Sequence, residues 1–258
     1  TASVNNGGAA QLDGGAAAVG TLNLGEGAGN SGSLSVSAGV LTNAYLFVGK
    51  AGTGTVTQTG GAIVTTSSAD PTLGIGYNAG GLGTYALSGG SLDMGGIGNL
   101  QIGAYGKGVF AQSGGSVTGR GWMVIGRYGT GSGILTVTGG DFCQYSAANR
   151  LIAGEAGAGT IIVTNAGTLS LNGGLRLGMV KNNPPNDAGV GTGTVWLCRG
   201  GTISTPEVLT QSGSNTFHFD GGLLSARGSQ QTYSGFFQGL TAAYVKGGGA
   251  RIDSGNNW

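Results

Sequence analysis

Charge is the scarcest property of this chain. Only 8% of its 258 residues are charged, with a net charge of +1, against about a quarter in an ordinary soluble domain. No basic stripe is available to track a phosphate backbone, which argues against nucleic-acid binding. Proline is scarce too, at four residues, which excludes a proline- and glycine-rich linker. No run of about 18 apolar residues occurs, so nothing in this chain reads as a membrane-spanning helix. Asn-x-Ser/Thr is missing, and with it the N-glycosylation signal. No long 3.6-residue apolar stripe marks a helix. The two cysteines, Cys143 and Cys198, fall about two coils apart in the repeat described below. That is beyond the roughly 7 Å reach of a disulfide, so they read as free, partly buried thiols, and they leave the compartment open.

What abounds is glycine, 60 residues of it, without the Gly-X-Y period of collagen. The glycines mark a beat. A short apolar-x-apolar-Gly element reads Leu22-Asn23-Leu24-Gly25, Leu46-Phe47-Val48-Gly49, Leu73-Gly74-Ile75-Gly76 and Leu100-Gln101-Ile102-Gly103. It returns as Met123-Val124-Ile125-Gly126, Leu151-Ile152-Ala153-Gly154 and Leu175-Arg176-Leu177-Gly178. A second element follows each, as in Gly54-Thr55-Val56-Thr57-Gln58-Thr59-Gly60-Gly61, and two copies, Gly159 to Gly167 and Gly193 to Gly201, carry one extra residue. A third, such as Ser91-Leu92-Asp93-Met94, comes after the small-residue doublet. Anchor glycines 23 to 28 residues apart, with strand signals and no helix signals, mark a β-solenoid. The expected fold is all-β: a single-stranded, parallel, right-handed β-helix with about 25 residues and three short strands per coil, stacked about 4.8 Å apart.

Alternation within the second strand assigns its inward side chains. They are Leu34/Val36, Tyr85/Leu87, Leu135/Val137, Ile161/Val163, Val195/Leu197 and Phe217/Phe219, with Gln58 and Gln112 at the same inward position. A buried glutamine needs partners, either backbone carbonyls or a polar pocket. Residues 1–207 read as regular coils and 208–258 as atypical coils continuous with the same solenoid. Two segments depart from the period: a loop at 179–189, read as a tolerated insertion or a lateral contact, and the tail from Val208. Neither end reads as a polar cap of the kind solenoids use. The chain is therefore expected either to be a segment of something longer or to have its ends covered by neighbours.

The tail carries a resemblance. Thr216-Phe217-His218-Phe219-Asp220-Gly221-Gly222-Leu223-Leu224, with Gly239-Leu240-Thr241-Ala242-Ala243-Tyr244-Val245-Lys246-Gly247-Gly248-Gly249-Ala250-Arg251-Ile252-Asp253, resembles autotransporter-associated β-strand repeat proteins. These are large passenger-like extracellular proteins of Planctomycetes and Verrucomicrobia type, and the upstream Leu-x-Ile-Gly and Gly-Thr-x-x-x-Ser-Gly-Gly units fit the same pattern. The resemblance implies a right-handed β-helix that is secreted or sits at the bacterial cell surface, and it supplies no catalytic motif. The chain departs from that family in showing no signal peptide, translocator barrel or sorting signal.

Chemistry-bearing residues are sparse. The acids Asp13, Glu26, Asp70, Asp93, Asp141, Glu155, Asp187, Glu207, Asp220 and Asp253 are scattered along the sequence. A polysaccharide lyase on this fold would cluster aspartates with a lysine or arginine on one face, and no calcium turn of the Asp-rich type occurs. His218, between Phe217 and Phe219, points outward and reads as solvated. No catalytic, cofactor or metal residue is assigned. One surface pattern is readable: the residue after each anchor glycine is Glu26, Lys50, Tyr77, Ala104, Arg127, Glu155 and Met179. Stacked coils make Glu26/Lys50 and Arg127/Glu155 opposite neighbours, read as exposed pairs. One residue further on, Tyr105 and Tyr128 stack beside Lys107 and Arg127. These four residues are the candidate glycan or lateral contact, with a stiffening surface ladder as the other reading.

The function expected from these features is an extracellular structural protein, a β-solenoid unit of a surface fibre. Its subunits would associate end to end, because open ends that stack heterologously give filaments. It would also carry O-linked glycans or contact surface polysaccharide. An adhesin or passenger segment that binds glycan or protein is the alternative, and a lyase-like enzyme ranks third.

Overall fold

A computed structural model describes residues 1–95, 98–181, 189–227 and 235–255. The described chain is all-β, a parallel β-solenoid of about nine turns roughly 25 residues apart. The first strands of successive coils include Leu73–Ile75, Leu100–Ile102, Met123–Ile125, Leu151–Ala153 and Leu175–Leu177, each paired in parallel with the next. The second strands stack likewise, Thr53–Gln58 on Leu82–Leu87 on Lys107–Gln112. The third strands include Ala62–Thr65, Ser91–Met94 and Ser116–Gly119.

Three separate strands per coil is not the whole picture. Ser132–Gln144 and Ala158–Leu171 run unbroken through the second and third faces, and Gly8–Leu24 and Ser31–Val48 run through all three. The two-residue corner is tight enough for pairing to continue round it. The extra residue of the Gly159 copy is absorbed as a register shift opposite Val137/Gly139, with Asn165 at φ 55°, as a β-bulge requires.

The anchor glycines are compelled by the turn. Gly103 has φ 68°, and a Cβ there would land on the backbone carbonyl of Ser132 in the next coil. Gly25, Gly49, Gly76, Gly126, Gly154 and Gly178 share the positive φ. Only glycine meets both demands, left-handed backbone and no side chain where two coils touch, which is why the beat is written in glycine.

The core is a stack of columns. All the inward pairs expected from alternation are buried. Tyr85 and Phe110 stack with centroids 4.9 Å apart, and Phe110 meets Phe142 edge-on at 5.9 Å. Both inward glutamines resolve to backbone carbonyls: Gln58 Nε2 donates to Ser91 O at 2.9 Å, and Gln112 Nε2 donates to Gly115 O and Asp141 O at 3.1 and 3.2 Å. Gln58 Oε1 accepts the Tyr85 hydroxyl, whose pKa burial raises.

The tail stays in the same sheet. Thr216–Asp220 pairs with Ala242–Val245, and Leu223–Ala226 with Arg251–Asp253. Ala243, Val245 and Ile252 therefore occupy the columns of Phe217, Phe219 and Leu224, yet Val245 is 65% and Ile252 56% exposed. The loop expectation at 179–189 falls largely on residues 182–188, outside the described residues. Val180–Lys181 and Gly189–Val190 pair antiparallel across it. Cys143 and Cys198 are free thiols.

Candidate functional site

The four candidate residues lie around the turn after the first strand. Tyr105 and Tyr128 are stacked, centroids 4.0 Å apart and planes 11° from parallel. The backbone sets this: Tyr128 N donates to Ala104 O at 3.0 Å, one coil below, so equivalent turn residues sit in direct succession. The Arg127 guanidinium lies 5.0 Å from the Tyr128 ring centre, a cation–π distance. Lys107 is exposed at the start of its strand, in register with Leu82 and Ser132, and takes no part in the ion-pair chain that holds Arg127.

That chain corrects one expectation. Arg127 and Glu155 pair at 3.2 Å, but their side chains are only 13% and 8% exposed. A second acid, Asp70, accepts from Arg127 Nη1 at 2.6 Å and from Gln101 Nε2 at 2.6 Å. Burial alone would lower the Arg127 pKa, but the hydrogen bond and charge of Asp70, joined by Glu155, raise it instead. Asp70 reaches the site from the segment after the third strand, folded back over the outer side of the first. Tyr77, packed against Phe47 with centroids 5.0 Å apart and the planes tilted by 48°, has its pKa raised by burial and then by Asp70. A similar clamp joins Glu207 to Arg150 at 3.1 Å and Arg176 at 3.9 Å. Glu26 and Lys50 pair at 3.2 Å as expected. The Glu26 carboxyl is held below its usual pKa by a Ser3 hydrogen bond and then by Lys50.

What this arrangement can do is limited by where the ring faces point. Tyr105 and Tyr128 cover each other's facing surfaces, so that area is closed to a sugar ring. Each carboxylate of the network is tied to an arginine. Among the described residues no group of three or more His, Cys, Asp or Glu is placed to share a metal ion.

Sequence reasoning missed a second ladder. His218 does point outward, but it is half-buried and not simply solvated. It lies between Trp196, at 3.9 Å and 5°, and Tyr244, at 4.9 Å and 17°. Lys246 Nζ lies 5.0 Å from the Tyr244 ring and 5.9 Å from that of Trp196. Burial, and then Lys246, lower the His218 pKa. The signal was present: writing the outward column in register lines up Trp196, His218 and Tyr244.

Comparison of the chain with protein-family models, curated proteins and solved structures finds no match.

Proposed function

We propose that this chain is an extracellular structural protein, a rod-forming solenoid unit of a surface fibre with no catalytic role. The observation that carries the reading is the unbroken parallel ladder: each inward column runs from the first coil into the tail without a break in pairing. Such a ladder loads many backbone hydrogen bonds together along the axis. The outward positions are spent on stacked rings, hydroxyls and ion-pair clamps that fix coil register. The low charge and the resemblance of the tail support a secreted or cell-surface setting. The hydroxyl-bearing outward columns suit O-linked glycans or contact with surface polysaccharide.

End-to-end association extends the same geometry. Val245 and Ile252 stand exposed on top of the Phe219 and Leu224 columns, and a further coil laid on them would bury both. We assign that coil to a second copy, whose first coil presents Ala10, Leu12 and Ala17 in the matching columns. A heterologous contact of this kind generates an open filament. Electron microscopy of the purified chain at rising concentration tests it. Rods that lengthen in whole-molecule steps, and stay single in a Val245→Lys/Ile252→Lys variant, support the reading. Wild-type rods that never lengthen overturn the end-to-end part.

A further inference from the structure

The third face carries a groove of about 270 Å³ lined by Asp93, Met94, Gly95, Thr118, Gly119, Arg120 and Tyr145. It spans three successive coils. Asp93 and Thr118 are register neighbours on the outer face, and Thr118 Oγ1 donates to Asp93 Oδ1 at 3.0 Å, so the carboxylate is aimed. Arg120 and Tyr145 follow at the strand ends, and Tyr145 is 49% exposed. Gly95 leaves the equivalent position of the first of these coils without a side chain, which opens the groove.

Its wall is built on fixed backbone. Asn149 Nδ2 donates to Arg120 O at 2.6 Å, and Asn172 Nδ2 donates to Tyr145 O at 3.0 Å. Tyr145 N donates to Gly119 O at 2.9 Å. The Tyr145 phenol keeps its proton, since its neighbour Cys143, by hydrogen bond and by charge, raises its pKa. The groove therefore offers a carboxylate that accepts, a guanidinium that donates, and a half-exposed aromatic ring.

We propose that this groove binds one pyranose ring of an oligosaccharide. Hydroxyls of the sugar pair with Asp93 and Arg120, and its C–H face lies on the Tyr145 ring. A sugar presents vicinal donors and acceptors on its rim and an apolar face, and the groove matches both in one place. Pre-set backbone reduces the ordering cost of binding. The stacked Tyr105–Tyr128 pair offers no such combination, because its facing ring surfaces are already covered. This site goes beyond the structural role proposed above and does not depend on it, since binding is read on single molecules whether or not rods lengthen.

The test is a glycan array spanning neutral and acidic oligosaccharides, followed by titration of the best binder monitored by amide NMR shifts. The expected result is saturable binding with shifts at Thr118, Gly119 and Tyr145 and none at Tyr105 or Tyr128. Tyr145→Ala and Asp93→Asn should each weaken binding roughly tenfold, about 1.4 kcal/mol, with the thermal midpoint unchanged because both side chains are exposed. Whether a neutral sugar or a uronate is the better binder separates recognition by hydroxyls alone from an added carboxylate contact at Arg120. No saturable binder on the array, or a binder that both variants retain at full affinity, would overturn the proposal.

Discussion

Tyr85 donates its phenolic hydrogen bond to Gln58 Oε1, one coil below and in the neighbouring inward column, where Gln58 sits between Val36 and Leu87. The pair is closed: Gln58 Nε2 is spent on Ser91 O. Removing only the hydroxyl strands the buried carbonyl oxygen of the glutamine. Tyr85→Phe should therefore cost about 1–3 kcal/mol in the wild-type background but add little to Gln58→Leu, whose own cost comes from the Ser91 and Gly61 carbonyls that lose their donor. Urea unfolding of the two single variants and the double variant checks this. Additive losses would mean the pair is not coupled.

The Arg127 clamp should behave unlike the Glu26–Lys50 pair. Arg127 and Glu155 are nearly buried, so Glu155→Gln leaves a charge with less compensation and should cost about 3 kcal/mol. That loss should be nearly independent of salt. Glu26 and Lys50 are far more exposed, so Lys50→Met should cost about 1 kcal/mol or less and fade above roughly 0.5 M salt. Unfolding midpoints at low and high ionic strength separate the two cases.

Glycine substitutions test the reading of the beat. Gly103→Ala combines a positive φ with a Cβ driven into the Ser132 carbonyl and should cost about 3 kcal/mol or more. Gly129→Ala is the control: nothing lies within 4 Å of its added Cβ, so its effect should be small. Equal effects in thermal unfolding would refute the claim that the anchor glycines are required by coil-to-coil contact.

The fold was legible because a period in sequence becomes a period in space. Once Gly76 and Gly103 mark equivalent turns, every residue between them has a known neighbour above and below. The same arithmetic found Tyr105 on Tyr128 and Arg127 beside Glu155. It could not find Asp70, which leaves the strand path and reaches Arg127 across 57 residues. Register says nothing about where a loop folds back. Nor could it show the burial of the Arg127–Glu155 pair, which depends on what covers the turn. The groove at Asp93, Arg120 and Tyr145 was hidden for a related reason. Its shape comes from a missing side chain at Gly95 and from corner backbone fixed by Asn149 and Asn172, neither of which alternation encodes.

The Trp196–His218–Tyr244 stack gives the chain a pH dependence of known sign. Burial and Lys246 disfavour the imidazolium, so the His218 pKa in the folded chain lies below that in the unfolded chain. Between those two values the unfolded chain binds more protons, so stability rises with pH there and is lost as pH falls through the folded value. The contribution is fully present above the ordinary histidine value of 6.5. Lys246→Met removes the nearby positive charge and should raise the His218 pKa, narrowing that window. It should also cost the cation–π contacts with Trp196 and Tyr244, roughly 0.5–1 kcal/mol. As His218 is the one histidine in the chain, its imidazole protons can be followed by NMR without assignment. A folded-state pKa at or above the unfolded value would show that the stacked rings stabilise the cation more than burial and Lys246 oppose it. The acid loss of stability would then have to come from carboxylates such as Glu26, whose lowered pKa gives a loss of the same sign at more acidic pH.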